Sequence, residues 1–108
     1  LAPAVTKMLA ELKSGDLKAA YQGTSSGFKA VTSYEKFENF LKRFPVIKEG
    51  SFAVQKESVD QGVGKVQVEI KGQEETVLVE YTLSKENDAW AIWGIQIVKQ
   101  NPTPSADS

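Results

Sequence analysis

Few residues in this chain can move protons, attack carbon or hold a metal. It contains no histidine and no cysteine. That removes the imidazole base, histidine-containing triads, thiolate nucleophiles, disulfide staples and most zinc or iron sites together. Carboxylates, tyrosines and lysines remain. Glu35 and Glu38 are three apart on one expected helix, the nearest approach to paired carboxylates, but Lys36, Lys42 and Arg43 surround them as on a solvated charged face. Asp16, if buried, could have its pKa raised into the general-base range, yet its position before Leu17 already reads as a helix N-cap. Glu57, Glu69 and Glu80 alternate with apolar neighbours and read as outward residues on strands. Residues 23–29, Gly-Thr-Ser-Ser-Gly-Phe-Lys, have the composition of a phosphate cradle. A P-loop needs a preceding strand and a lysine directly after its second glycine. Here a helix precedes and Phe28 intervenes, so the segment reads as a helix-to-helix connector. No catalytic residue, metal site or cofactor is expected.

The bulk properties point the same way. A chain of 108 residues fits one domain, expected over 1–101 with a flexible polar tail at 102–108. Its 41% apolar and 25% charged residues are ordinary for a globular protein. A net charge of −1, with lysines and glutamates interspersed, gives no field to attract nucleic acid or an anionic membrane. No apolar run approaches the roughly 20 residues of a spanning helix, so a soluble domain without membrane insertion is expected. The start at Leu1 fits either a trimmed chain or a mature product whose signal or anchor was removed, and an exported or periplasmic location is preferred.

Helices are expected first. Val5, Met8, Leu9 and Leu12 keep the spacing of one helix face, with Pro3 at its start and Gly15 as its left-handed stop. Asp16 opens a shorter helix with Leu17, Ala20 and Tyr21 on its apolar side, ended by Gly23. Thr32 and Glu35 form a Thr-x-x-Glu capping box for a third helix. Its stripe of Tyr34, Phe37, Leu41 and Phe44, widened by Phe40, stops at Pro45. Phe28 anchors the connecting segment between them.

Beyond Gly50 the apolar period changes to two, and four strands follow. Phe52 and Val54 mark the first. Val66, Val68 and Ile70 mark the second, Val77, Val79, Tyr81 and Leu83 the third, and 90–98 the fourth. Short connections make sequential antiparallel pairing the economical topology, since parallel neighbours need long crossovers. The fourth strand breaks phase, because Trp90 and Ile92 share one parity while Trp93, Ile95 and Ile97 share the other. Either it is covered on both faces, or a bulge at Gly94 turns Ile95 and Ile97 inward and leaves Trp93 outward. The bulge is preferred.

The Lys13-Ser14-Gly15-Asp16 corner with Ala19, Ala20 and Tyr21 resembles the opening of many nuclear transport factor two-like (cystatin-like) domains. Phe28-Lys29, Ser33, Phe37, Phe40-Leu41 and Pro45, then Trp90-Ala91-Ile92 and Gly94-Ile95, resemble uncharacterised bacterial families of that superfamily. The resemblance implies an α+β fold in which N-terminal helices pack on a curved four-stranded antiparallel meander, with a pocket between the cone and the helices. The superfamily's enzymes place an aspartate base, a histidine pair or a tyrosine and an acid there. This sequence offers none of them at an assigned inward position.

Tyr21, Phe28, Tyr34, Tyr81 and Trp90 are the pocket-lining candidates, with close packing of the core as the simpler reading. Leu78 and Trp93, with Ile97 a further candidate, could form an apolar strip on the outer sheet face, an interface for a homodimer or an unknown protein partner. The function expected is a non-catalytic binding or interaction module. The alternative is a binder of a small apolar ligand, and third an enzyme using Asp16 or a glutamate with a tyrosine.

Overall fold

The computed structural model describes residues 1–102. Five helices, α1 (Ala2–Lys13), α2 (Leu17–Gln22), α3 (Ser26–Val31), α4 (Tyr34–Arg43) and α5 (Val46–Glu49), precede four strands, β1 (Ser51–Asp60), β2 (Val63–Lys71), β3 (Glu75–Glu86) and β4 (Ala89–Pro102). The strands form one antiparallel sheet in the order β1-β2-β3-β4. The helices cover one face of this meander, which is the α+β architecture expected. Pro102, the first residue of the tail expected at 102–108, pairs with Glu75 at the end of β4. Residues 103–108 lie outside the described part.

The helical layer follows the sequence except at the connector, at the cap of α4 and in the added turn of α5. Val5, Met8, Leu9 and Leu12 of α1 are buried as their spacing requires, and Gly15 turns the chain at φ 91°. Asp16 caps α2, accepting a hydrogen bond from the Ala19 N–H at 3.2 Å. The supposed connector is itself a helix. Ser25 caps α3 by accepting from the Phe28 N–H at 3.1 Å, which places Phe28 in the core. Thr32 then has to end α3, its N–H donating to the Phe28 carbonyl at 2.8 Å. The cap of α4 therefore falls to Ser33, whose Oγ accepts from the Lys36 N–H at 3.2 Å, and the Thr32 capping box does not form. Phe37 and Leu41 of α4 are buried, with Phe40 and Phe44 packed beside them. Pro45 ends α4 and also begins the single turn of α5. Gly50 follows because no side chain fits there: a Cβ would meet the Lys71 and Val46 carbonyls at 2.8 Å.

In the sheet, Val66, Val68 and Ile70 of β2 and Val77, Val79, Tyr81 and Leu83 of β3 point at the helices and are fully buried. β1 and β2 meet in a two-residue turn with φ of 52° at Gln61 and 79° at Gly62, the left-handed pair that a tight hairpin needs. β4 shifts register twice. Thr82 faces Gly94 while Leu83 faces Ile92, leaving Trp93 as the extra residue. Leu78 faces Lys99 while Val79 faces Ile97, leaving Val98 as the second. The first shift lies beside Gly94, where the phase break was read. It turns Ile95 and Ile97 onto the core and leaves Trp93 55% exposed. β4 also runs beyond Val98, since Lys99, Gln100 and Asn101 still pair with β3.

A cap accounts for one orphan amide donor and contributes about 1 kcal/mol. Ser33→Ala is therefore expected to lower unfolding stability by about 1 kcal/mol in chemical denaturation, with Thr32→Ala costing distinctly less. The reverse order would restore the Thr32 cap.

Candidate functional site

Three regions hold the residues singled out in the sequence: the aromatic interior, two surface clefts and the sheet edges. In the interior, α2, α3 and α4 bring Tyr21, Phe28 and Tyr34 together around Phe37. Tyr21 stands edge-on to Phe28 at 6.3 Å and to Tyr34 at 5.6 Å, and Phe28 stands edge-on to Phe37 at 6.1 Å. The Tyr21 hydroxyl donates to the Thr32 carbonyl at 2.6 Å. These rings fill space against one another, the arrangement aromatic quadrupoles favour. Phe37 completes the cluster although it was not among the pocket candidates. The helix stripe had placed it in the core, but no sequence signal gave its neighbours across α2 and α3.

Tyr81 and Trp90 lie apart from this group on the sheet. Trp90 is half-buried, with the Lys85 ammonium 5.5 Å from its ring. Tyr81, between Val66 and Ile95, is fully buried, and its hydroxyl has no hydrogen-bond partner among the described residues. Burial pushes this phenol well above its ordinary range, so it stays neutral.

Two clefts open to solvent, each lined by polar and apolar groups together. The larger, about 1170 Å³, lies between α5, the β2–β3 hairpin and the end of β4, where Gln100 donates to the Glu75 carboxylate at 2.6 Å. The smaller, about 480 Å³, lies between the α1–α2 corner, α4 and α5. Asp16, Tyr34 and Glu38 line it with Lys18, Lys42 and Lys48. Asp16 is thus at a cleft mouth, but it is exposed and engaged as a cap. Glu38 faces Lys42 at 3.9 Å, a solvent-screened pair. Glu35 is exposed in the first turn of α4. The cradle-like loop is already satisfied: the Ser26 N–H donates to the Glu86 carboxylate at 3.0 Å, and Lys29 donates to the Gln22 carbonyl at 2.8 Å. Among the described residues no three acids converge as a metal site would need. Nor is any helix there long and apolar enough to cross a membrane.

The outer sheet face is largely polar. Leu78 is half-buried between Glu69 and Lys99, and Gln67 donates to Glu80 at 3.1 Å nearby. Trp93 is distant along the strand and at the sheet edge, its indole against Gly27 of α3. Leu78 and Trp93 share no strip, and Ile97 faces the core. β4 is partly covered at its outer edge, where Thr24 bridges Ile92 and the Ser25 N–H donates to the Ile92 carbonyl at 2.8 Å.

The opposite edge is bare. β1 pairs with β2 alone among the described strands. Phe52, Val54, Glu57 and Val59 face β2 residues Ile70, Val68, Val66 and Gly64, so they lie on the helix side of the sheet. Helices do not reach most of them: Val54 is 37% and Val59 58% exposed. Glu57 was expected outward. The register shift between Val54 and Lys56 makes Gln55 an extra residue and turns Glu57 to the helix side, where it accepts the Ala2 N–H at 3.0 Å.

These elements define a small α+β domain whose helices cover one face of an antiparallel meander. The family model described as "Domain of unknown function (DUF4864)" matches residues 1–105, and the chain belongs to that family. No curated protein matches the chain.

Tyr81 gives a test of the interior. Leaving a buried hydroxyl unpaired costs about 1–3 kcal/mol, so Tyr81→Phe is expected to be neutral or stabilising at pH 7. A folded-state pKa above the unfolded value near 10 adds stability below that pH and loses it above. Wild-type stability should therefore fall above about pH 10 by up to about 1.4 kcal/mol per pH unit more than in Tyr81→Phe. Denaturation curves of both proteins at pH 7 and 10.5 check this. A destabilised Tyr81→Phe would reveal a hydrogen-bond partner.

Proposed function

We propose that this chain is a non-catalytic association module of the nuclear transport factor two-like kind, and that its working surface is β1. The observation that supports it most is the burial of β1. All of the other inward strand positions at the sheet centre are closed over by helices, whereas this ten-residue edge strand is exposed at every position except Phe52. A bare edge carries unpaired backbone donors and acceptors, and its uncovered valines add apolar area, the two requirements for adding an extended strand. The non-catalytic part rests on the acids. None of the described carboxylates is buried, so none is in the desolvated setting that prepares a general base.

A nitrogen-15 NMR titration of dilute protein with ten-residue extended peptides, alternating valine and threonine, tests this surface. Shifts should concentrate on β1 and be lost in Val54→Lys/Val59→Lys, whose exposed positions leave the fold intact. Shifts confined to β4 or the outer face, or none with any peptide, would remove β1 as the working surface.

A second reading, a small apolar ligand held inside, is favoured only by the unpaired Tyr81 hydroxyl, which a ligand acceptor would satisfy. Apolar probes carrying one carbonyl should then raise the melting temperature of the wild type and not of Tyr81→Phe. Equal behaviour of the two proteins would end it.

A further inference from the structure

β1 carries a symmetry that only its bulge creates. Reading the side of each residue from its β2 partner, Ser51, Ala53, Lys56, Ser58 and Asp60 lie on the outer side and Phe52, Val54, Glu57 and Val59 on the helix side. Gln55, the extra residue, falls at the middle of the ten. The order of sides therefore reads the same from either end: outer, helix, outer, helix before Gln55, and helix, outer, helix, outer counting to Asp60 from Glu57.

Directly opposed residues of antiparallel strands share a face. An unbroken alternating strand of ten residues, laid full-length against its own reverse, would set each outer residue against a helix-side one and could not pair. With the phase reset at Gln55 the full length matches.

We propose that the occupant of this edge is a second copy of the same chain, joined antiparallel along β1 about a two-fold axis between Gln55 and Lys56. This rests on the reading of β1 as the working surface and names its partner. Phe52 of each copy lies opposite Val59 of the other, Val54 opposite Glu57, Ala53 opposite Ser58 and Ser51 opposite Asp60. The two four-stranded sheets become one of eight strands.

Side-chain chemistry agrees with this register. No pair opposes like charges. Lysine on an edge strand normally guards against pairing, but here Lys56 meets Gln55 and not a second lysine. On the helix side Phe52 and Val59 form an apolar pair at each end of the seam, covering valine surface that the chain's own helices leave in water, with Val54 beside Glu57 between them. Sliding the register by two residues in one direction sets Lys56 against Glu57, which lie on opposite sides. Sliding it the other way sets helix-side Val54 against Gln55, the extra residue at the phase reset, so the two halves no longer match.

The absence of cysteine makes the register directly measurable. Ala53→Cys and Ser58→Cys each place a thiol at an exposed outer position. An equimolar mixture under mild oxidation should yield the mixed disulfide dimer well above the dimer that either variant forms alone. Sedimentation equilibrium of the unmodified chain should show the mass doubling with concentration. Val59→Lys, which sets a lysine opposite Phe52, should weaken that association about tenfold or more.

A chain that stays monomeric to about 1 mM, a concentration at which only interactions weaker than about 4 kcal/mol escape notice, would overturn self-pairing. So would a dimer whose mixed cysteine pair cross-links no better than the single variants. If the monomeric chain still shifts its β1 amides with extended peptides, only the identity of the partner fails. If it shows neither behaviour, the surface itself fails.

Discussion

The fold depends on one constraint, the two-residue alternation of a strand and the places where that alternation is reset. Burial on one side and water on the other fix which residues of β2 and β3 point inward, and both keep strict phase through Val66 to Ile70 and Val77 to Leu83. The outer two strands break phase, at Gln55 in β1 and at Trp93 and Val98 in β4. Each break inserts one residue and turns the following side chains over, because an added residue cannot be opposed and the strand bends around it. The central strands thereby supply the core, and the flanking strands decide what reaches solvent.

The helices answer the same demand from the other side. α1 lays an aliphatic row on the sheet, and α2, α3 and α4 supply the aromatic layer in which Tyr21, Phe28, Tyr34 and Phe37 stand largely edge to face. Their backbone ends are satisfied locally by Asp16, Ser25 and Ser33. Hydrogen bonds from two glutamates add to the apolar packing between the layers. Glu86 reaches from the end of β3 to the start of α3, and Glu57 reaches from β1 to the start of α1. Asp16, Glu57 and Glu86 thus each accept an amide at a helix start.

Much of the architecture was legible because it rests on period and punctuation. The faces of α1, β2 and β3 follow from spacing alone, and the phase break near Gly94 was visible because five large apolar residues could not all share one side. What escaped notice involved choices between neighbours or contacts across the chain. Ser25 and Ser26 could open a helix or fill a loop, and only the pairing of Thr24 with Ile92 and the Glu86 contact decide for the helix. Thr32 was read as the cap of α4, but α3 takes Thr32 as its end and the cap falls to Ser33. The reset at Gln55 was hidden because Gln-Lys-Glu-Ser is polar throughout and carries no alternation to violate, so Glu57 was read on the wrong side. The bare flank of β1 was hidden for another reason: local pattern does not say how far a helical layer extends across a sheet.

The bridge from Thr24 to Ile92 has a consequence for how the molecule can assemble. Open sheets invite end-to-end stacking, in which the first strand of one molecule lies along the last strand of the next and the array grows without limit. Here the last strand meets its own chain first, with the Ser25 amide on the Ile92 carbonyl and the Trp93 indole against Gly27. A helix stands where the next molecule would begin to dock. The two flanks of the sheet are thus unequal: β4 is covered at Ile92, near its start, and β1 has no such cover among the described residues, which disfavours full-length stacking of β1 on β4.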